Sequence, residues 1–251
     1  MEPILSVNGL CKQYPEFELK DVTFEVERGS IMGFIGRNGA GKTTTIKSIL
    51  NLVHPSAGTI RYFGLDFLEH EKEIKQRIGY AAGTANSYKK KKIKDIVAVT
   101  KTFYDNWDED TYQHYLELFE LKENKTPEQL SEGMKVKLNL ALSLSHKAEF
   151  LILDEPTNGL DPFSRDELLD VFQEVVKSGA TILFSTHITS DLDKCASHIT
   201  YIRRGQIIAS LPMQEFIQTY SANTGSDTDT DNIEDIMLRL EKEARHDPIT
   251  E

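Results

Sequence analysis

Apolar and polar residues follow two different rhythms along this chain. Ile4 to Val7 and Val22 to Val26 are short strand-like stretches, the second alternating cleanly as Val22, Phe24, Val26. Arg28-Gly29-Ser30 is a turn, and the apolar strand Ile31 to Ile35 runs from it into the glycine-rich Gly36 to Gly41. The pattern predicts a helix from near Gly41 that ends before His54-Pro55, and a further strand over Thr59 to Phe63. From Tyr88 to about Lys147 the rhythm changes. Tyr112, Tyr115, Leu116 and Phe119 fall at helical spacing and no convincing strand occurs, which predicts a helical insertion. Strands return at Phe150 to Leu153 and Thr181 to Ser185, with a helix from about Pro162 to Lys177 between them. This order predicts a parallel sheet with crossover helices. Tyr201 to Ile208, turning at Arg204-Gly205, reads as a closing hairpin. Residues 221–231 are rich in Ser, Thr, Gly and Asp and read as a flexible acidic linker. Beyond it, Ile233, Ile236, Met237 and Leu240 form one apolar stripe, so 232–251 reads as an amphipathic helix and tail.

Gly36-Arg37-Asn38-Gly39-Ala40-Gly41-Lys42-Thr43 matches the phosphate-loop pattern G-x-x-x-x-G-K-S/T in full, with a strand before it and a helix after it. The residue types follow from the task. The loop wraps backbone N–H groups around phosphate oxygens, and glycine permits the angles and the close approach. The helix N-terminus adds positive potential. Lys42 is placed to reach the β- and γ-phosphates, and the Thr43 hydroxyl to coordinate Mg2+. Such a loop alone fits kinases, GTPases, helicases and motors. A guanine-reading Asn-Lys-x-Asp string is missing; the nearest string, Asn124-Lys125-Thr126-Pro127, lacks the Asp.

Phe150-Leu151-Ile152-Leu153-Asp154-Glu155 is an apolar strand ending in two acids. The strand carries Asp154 to the C-terminal edge of the sheet, where open α/β sheets bind ligands. Asp154 is expected to hold Mg2+, directly or through water, and Glu155 to polarise the water attacking the γ-phosphate.

With these residues in place the chain resembles the ABC ATPase family over nearly all of 1–220. Leu130-Ser131-Glu132-Gly133-Met134 resembles the family's signature motif, Leu-Ser-Gly-Gly-Gln. Asn158-Gly159-Leu160-Asp161-Pro162 resembles its D-loop, His187 the switch histidine, and Tyr14 the aromatic that stacks on adenine, with Phe17 as an alternative. The resemblance implies an α/β P-loop NTPase with a RecA-like parallel sheet core, an N-terminal antiparallel β subdomain and an α-helical subdomain inserted at about 86–147. It implies ATP and Mg2+ as ligands. ATP would be held by Tyr14, Gly36, Asn38, Gly39, Ala40, Gly41, Lys42, Thr43 and Thr44, and in trans by Ser131 and Gly133 of a second ATP-binding subunit facing the first head to tail. Glu155 and His187 would act on the γ-phosphate, and Thr43 and Asp154 on the metal. A separate transmembrane permease would be the driven partner, holding the chain at the inner face of the membrane, and export would be the direction.

Met134 with Lys135, and Phe103-Tyr104 with Trp107-Asp108, resemble exporter ATPases of the bacitracin-resistance and YtrB type. Two positions depart from the family. Glu132 adds a negative charge beside the phosphate-facing Ser131. Gly83, in Ile78-Gly79-Tyr80-Ala81-Ala82-Gly83, stands where a metal-sensing Gln is usual, with Thr84 or Asn86 as candidate substitutes; slow or partner-dependent hydrolysis follows as an expectation. Lys89 to Lys92 reads as a solvated face or as a contact with the membrane subunit.

Composition trims the alternatives. The net charge is −11, which disfavours a general nucleic-acid binder. No run of about 18 apolar residues predicts a membrane-spanning helix, and Met1-Glu2-Pro3 does not begin a leader, so a cytoplasmic chain is expected. Cys11 and Cys195 have no metal-like spacing and read as reduced thiols. Two other classes stay open: a soluble ABC-type ATPase acting on ribosomes or DNA, and a nucleotide-dependent regulator with little catalysis.

Overall fold

In the computed structural model, described over residues 2–82, 90–221 and 232–246 (side chains to 243), the apolar runs become the centre of a six-stranded sheet. The chain first forms β1 (Leu5–Gln13) and β2 (Glu18–Val26), then β3 (Ile31–Ile35), α1 (Lys42–Ile49), β4 (Ala57–Tyr62), β5 (Leu65–Asp66), α2 (Glu71–Arg77) and β6 (Ile78–Ala82). The helical insertion follows as α3 (Ile93–Thr100), α4 (Glu109–Leu118) and α5 (Glu132–Ser145), joined by two short 3-10 turns. The chain then returns through β7 (Phe150–Asp154), α6 (Pro162–Lys177), β8 (Thr181–Thr186), α7 (Thr189–Cys195), β9 (His198–Arg203), β10 (Gln206–Pro212), α8 (Met213–Tyr220) and α9 (Ile233–His246).

The large sheet runs β10-β9-β3-β8-β7-β6. All pairs are parallel except β10 on β9, an antiparallel edge made by the hairpin. Every residue of β3, β7 and β8 is buried, because both faces of the sheet are covered. Alternate residues face opposite layers. Leu151, Leu153, Ile182 and Phe184 pack with Leu168 and Phe172 of α6. Met32, Phe34, Ile152 and Leu183 pack with Ile46 and Ile49 of α1 and with the smaller antiparallel sheet β2-β1-β4-β5. Each fully buried side chain of this size contributes about 1.5–3 kcal/mol. β6 escaped the pattern reading because its five residues, Ile-Gly-Tyr-Ala-Ala, carry little apolar bulk.

In the insertion, Tyr112 and Leu116 of α4 and Val136 and Leu140 of α5 are buried together. Trp107 packs against this cluster, its ring 5.4 Å from that of Tyr112. His146, at the end of α5, stacks on Tyr104 at 3.7 Å and its Nδ1–H donates to the Gln76 carbonyl at 3.3 Å, tying insertion to core. Burial pushes the His146 imidazole down to about 4, so it is held neutral. At the other end of the chain, Ile233, Ile236 and Met237 of α9 are buried. Leu240 O accepts from Arg203 at 2.9 Å, and Glu241 Oε1 accepts from Tyr201 Oη at 2.7 Å. Most of the segment read as a linker, 222–231, and Gly83, Thr84, Asn86 and Lys89 lie outside the described residues.

Candidate nucleotide site

Four parallel strands end side by side, and their register decides which residues meet. Ile35 pairs with Thr186, Asp154 with Ser185, and Ala82 with Asp154. The phosphate loop leaves β3 at this edge and closes into α1. Its Gly41, φ +113, is the helix N-cap, and a Cβ there would lie 2.8 Å from Leu19 and 2.9 Å from Phe17. Only glycine satisfies both the angle and the space. The loop is hooked from outside as well, since Gly205 N–H in the β9–β10 turn donates to Ala40 O at 2.9 Å.

Within this frame the expected groups converge. Lys42 is only 5% exposed; its Nζ donates to Gly36 O at 2.7 Å and Arg37 O at 3.3 Å and pairs with Glu155 Oε1 at 3.0 Å. Glu155 Oε2 accepts from His187 Nδ1–H at 2.8 Å, which leaves Nε2 of that ring turned to other partners. Thr43 Oγ1 donates to Asp154 Oδ1 at 3.2 Å. Two linked sets therefore stand at the loop: Lys42–Glu155–His187 and Thr43–Asp154. Glu155 has φ +51, the left-handed region that a non-glycine residue adopts at a cost of about 1 kcal/mol or more. The strain turns its carboxylate back toward Lys42 and His187.

Two residues given no role in the sequence reading, Ser185 and Asp191, hold this arrangement. Ser185 Oγ donates to Asp154 Oδ1 at 2.7 Å and accepts from Glu155 N–H at 2.9 Å, so one hydroxyl orients both acids. Asp191, fully buried, accepts from Thr157 Oγ1 at 2.6 Å and Thr186 Oγ1 at 3.2 Å, binding the segment after Glu155 to the segment before His187. Burial raises its carboxyl above the ordinary range, and Arg165 stands 3.9 Å away. The signal available for Ser185 was the strand register; for Asp191 it was its place four residues after His187, which has meaning only once the loop is folded.

A hydroxyl beside one buried carboxylate suits a small hard cation that takes most of its other ligands from phosphate and water. Among the described residues no cluster of three or more His, Cys, Asp or Glu offers an all-protein cage. Thr43 and Asp154 thus fit Mg2+.

The remaining expected residues stand elsewhere. Tyr14, 40% exposed, lies in the β1–β2 turn, where its N–H donates to Phe17 O; the Phe17 ring itself packs toward Gly41. Asn38 and Gly39 are exposed on the loop, Ala40 is buried, and Thr44 is half-buried in the first turn of α1. Ser131 is the N-cap of α5, its Oγ accepting from Met134 N–H at 3.2 Å; among the described residues it makes no hydrogen bond to the phosphate loop of its own chain. Glu132 is ion-paired with Lys135 at 2.6 Å, so its charge is directed along the helix. Gly133 is buried against α6, where a Cβ would sit 3.5 Å from Leu160. Asp161 caps α6, accepting from Phe163 N–H and Ser164 N–H at 3.1 Å, and hydrogen bonds from Ser164 and these amides hold its carboxyl below the usual range.

Residues 19–158 match the ABC transporter family. The chain is 34% identical over 216 residues to the bacitracin transport ATP-binding protein BcrA of Bacillus licheniformis, covering 84% of this chain and 71% of that one. It is 30% identical over 203 residues to the ABC transporter ATP-binding protein YtrB of Bacillus subtilis, covering 80% and 69%. Among solved structures, an ATP-binding subunit of an ABC transporter superposes with a TM-score of 0.82 at 27% identity, covering 95% of this chain and 99% of that one.

Proposed function

The chain belongs to the ABC transporter family, and from that premise we propose that it is the ATP-binding and ATP-hydrolysing subunit that powers export through a separate transmembrane permease. The observation that carries the reading is the linked run Lys42–Glu155–His187, 3.0 Å and 2.8 Å, held over the phosphate loop. Lys42 gives up loop carbonyls for β- and γ-phosphate oxygens, and the loop amides take the rest. Tyr14 offers its exposed face to adenine. Glu155 orients a water at the γ-phosphorus and draws on its proton. The water oxygen bonds to phosphorus as the bridging P–O bond breaks, ADP leaves with that electron pair, and inorganic phosphate results. His187, fixed through Nδ1, turns Nε2 to the γ-phosphate. Thr43 and Asp154 would hold Mg2+, which when bound neutralises charge between the β- and γ-phosphates.

The second half of the reading concerns Ser131 and Gly133. The first turn of α5 begins with backbone N–H groups that lack intrahelical partners, Ser131 capping that of Met134, and among the described residues it makes no hydrogen bond to its own phosphate loop. A facing ATP-binding subunit supplies the γ-phosphate that such a turn attracts. Two nucleotides then hold two subunits together, hydrolysis releases them, and the permease at the inner face of the membrane follows that cycle. No helix among the described residues is long and apolar enough to cross a membrane. The test is Mg-ATP turnover with the permease present. Lys42→Ala is expected to lose both nucleotide binding and turnover, and Glu155→Gln to bind ATP but lose turnover at least a hundredfold. Undiminished turnover in Lys42→Ala would refute the assignment.

A further inference from the structure

Helix α6 follows the segment that begins at Glu155, and α7 follows His187. The two helices are tied together at the surface. Lys194 of α7 donates to Asp166 O at 3.0 Å and pairs with Asp170 at 2.9 Å, and Gln173 Nε2 donates to Lys194 O at 2.9 Å. At depth they meet through Arg165 of α6 and Asp191 of α7, with Arg165 Nε 3.9 Å from Asp191 Oδ1. Both atoms are buried, and neither makes a hydrogen bond among the described residues. Buried polar atoms seldom stay without partners, and here a cation and an anion stand against one another.

The other oxygen of Asp191 gives this pair its meaning. Oδ2 accepts from Thr157 Oγ1 at 2.6 Å and from Thr186 Oγ1 at 3.2 Å. Thr157 follows Glu155 and Pro156, and Thr186 directly precedes His187. Thr186 Oγ1 in turn accepts from Ile188 N–H at 2.9 Å, on the far side of the histidine. One carboxylate thus grips the segments that carry Glu155 and His187, whose side chains meet at 2.8 Å. Taking both hydroxyl donors on one oxygen suits the ionised form. Burial works against that form and the charge of Glu155 adds to the effect, while the Thr157 hydrogen bond and the Arg165 cation oppose them.

We infer that Arg165 is a positioning residue for ATP hydrolysis, acting through Asp191 to hold the Glu155 and His187 segments in register with one another. The inference rests on the hydrolytic reading proposed above. It gives Arg165 no contact with nucleotide, because its Nε is turned to Asp191 and its effect passes through that carboxylate. Without Arg165 a buried carboxylate is left beside a second anion with no cation of its own. It then takes up a proton or turns away, and the two threonine hydroxyls lose their shared acceptor.

The test is Mg-ATP turnover by the full chain with the permease present, alongside nucleotide binding and thermal unfolding of the chain alone. Arg165→Met keeps the aliphatic stem and removes the cation. Its kcat is expected to fall roughly tenfold while KM for ATP and nucleotide binding stay within about twofold. Arg165→Lys restores the cation and should recover most of the loss, which a role in packing alone would not predict. Asp191→Asn should slow turnover as well, and the Arg165→Met/Asp191→Asn double variant should be no slower than Arg165→Met, since no charge is then left uncompensated. Unchanged kcat in Arg165→Met overturns the role. So does a loss that Arg165→Lys fails to recover, a loss shared equally by kcat and nucleotide binding, or effects that add in the double variant. A fall in unfolding temperature that accounts for the lost turnover overturns it in favour of a purely structural tie. Absence of turnover in the parent chain with its permease overturns the hydrolytic reading, and the role of Arg165 with it.

Discussion

The C-terminal edge of the parallel sheet and the first turn of α5 both serve phosphate in the proposed cycle, yet they are built in opposite ways. At the sheet edge the three charged groups are each held at least twice: Lys42 by two carbonyls and Glu155, Asp154 by Thr43 and Ser185, Glu155 by Lys42 and His187. At α5 the functional hydroxyl has, among the described residues, one partner, the amide it caps, and stands on an inserted subdomain tied to the core by contacts such as the His146–Gln76 hydrogen bond. In the proposed cycle the contrast is between a preorganised half-site and a second half whose ligand a facing subunit would supply.

The largest test of that contrast is Ser131→Arg. Turnover with the permease should fall roughly a thousandfold, because the γ-phosphate loses its facing donors, while nucleotide binding by the single chain stays within about twofold. Equal loss of both would place Ser131 on its own chain's site.

Acid should loosen the insertion before the sheet. Unfolded His146 takes its proton near 6.5, whereas the folded one waits until about 4. The contribution is complete above pH 6.5 and is lost as pH falls toward 4, a window worth on the order of 3 kcal/mol. Urea midpoints at pH 7.5 and 5 should therefore differ more for the native chain than for His146→Phe, which keeps a stacking ring without the proton site. A native loss no larger than that of the variant would break this expectation.

Ser185→Ala asks how much the sheet edge depends on a single hydroxyl. It leaves Asp154 Oδ1 with Thr43 alone and removes the acceptor of the Glu155 amide, at a cost of about 2 kcal/mol. Turnover should drop more than tenfold, because both acids lose their alignment; thermal unfolding and ATPase rates measure the two effects. The smallest effect belongs to Glu132→Ala. With Glu132 already paired to Lys135, turnover should change less than about threefold, and a larger rise would show that its charge does oppose the facing phosphate.

Much of this was legible in the residues. The phosphate loop is local, because its glycines answer backbone angles that no neighbour has to supply, and its flanking strand and helix are short-range consequences of the same segment. Ile31–Ile35 and Pro162–Lys177 fell where the pattern placed them. β6 was hidden because small residues in a strand leave no periodic signal; its neighbours define it.

The sequence by itself determined the chemistry on offer: Lys42 and Thr43 on a loop, Asp154 and Glu155 at a strand end, Ser131 at a helix start, each written within a few consecutive residues. Tertiary structure alone decided which of these meet. Parallel register, a long-range property, set Ser185 beneath both acids and Thr186 beside Ile35. Packing of α5 on α6 set Gly133 against Ser164, and docking of α9 put Leu238 and Glu241 beside the phosphate loop. Local rules choose a residue's conformation, but distances between segments far apart in the chain are fixed only when both have buried their apolar faces in the same core.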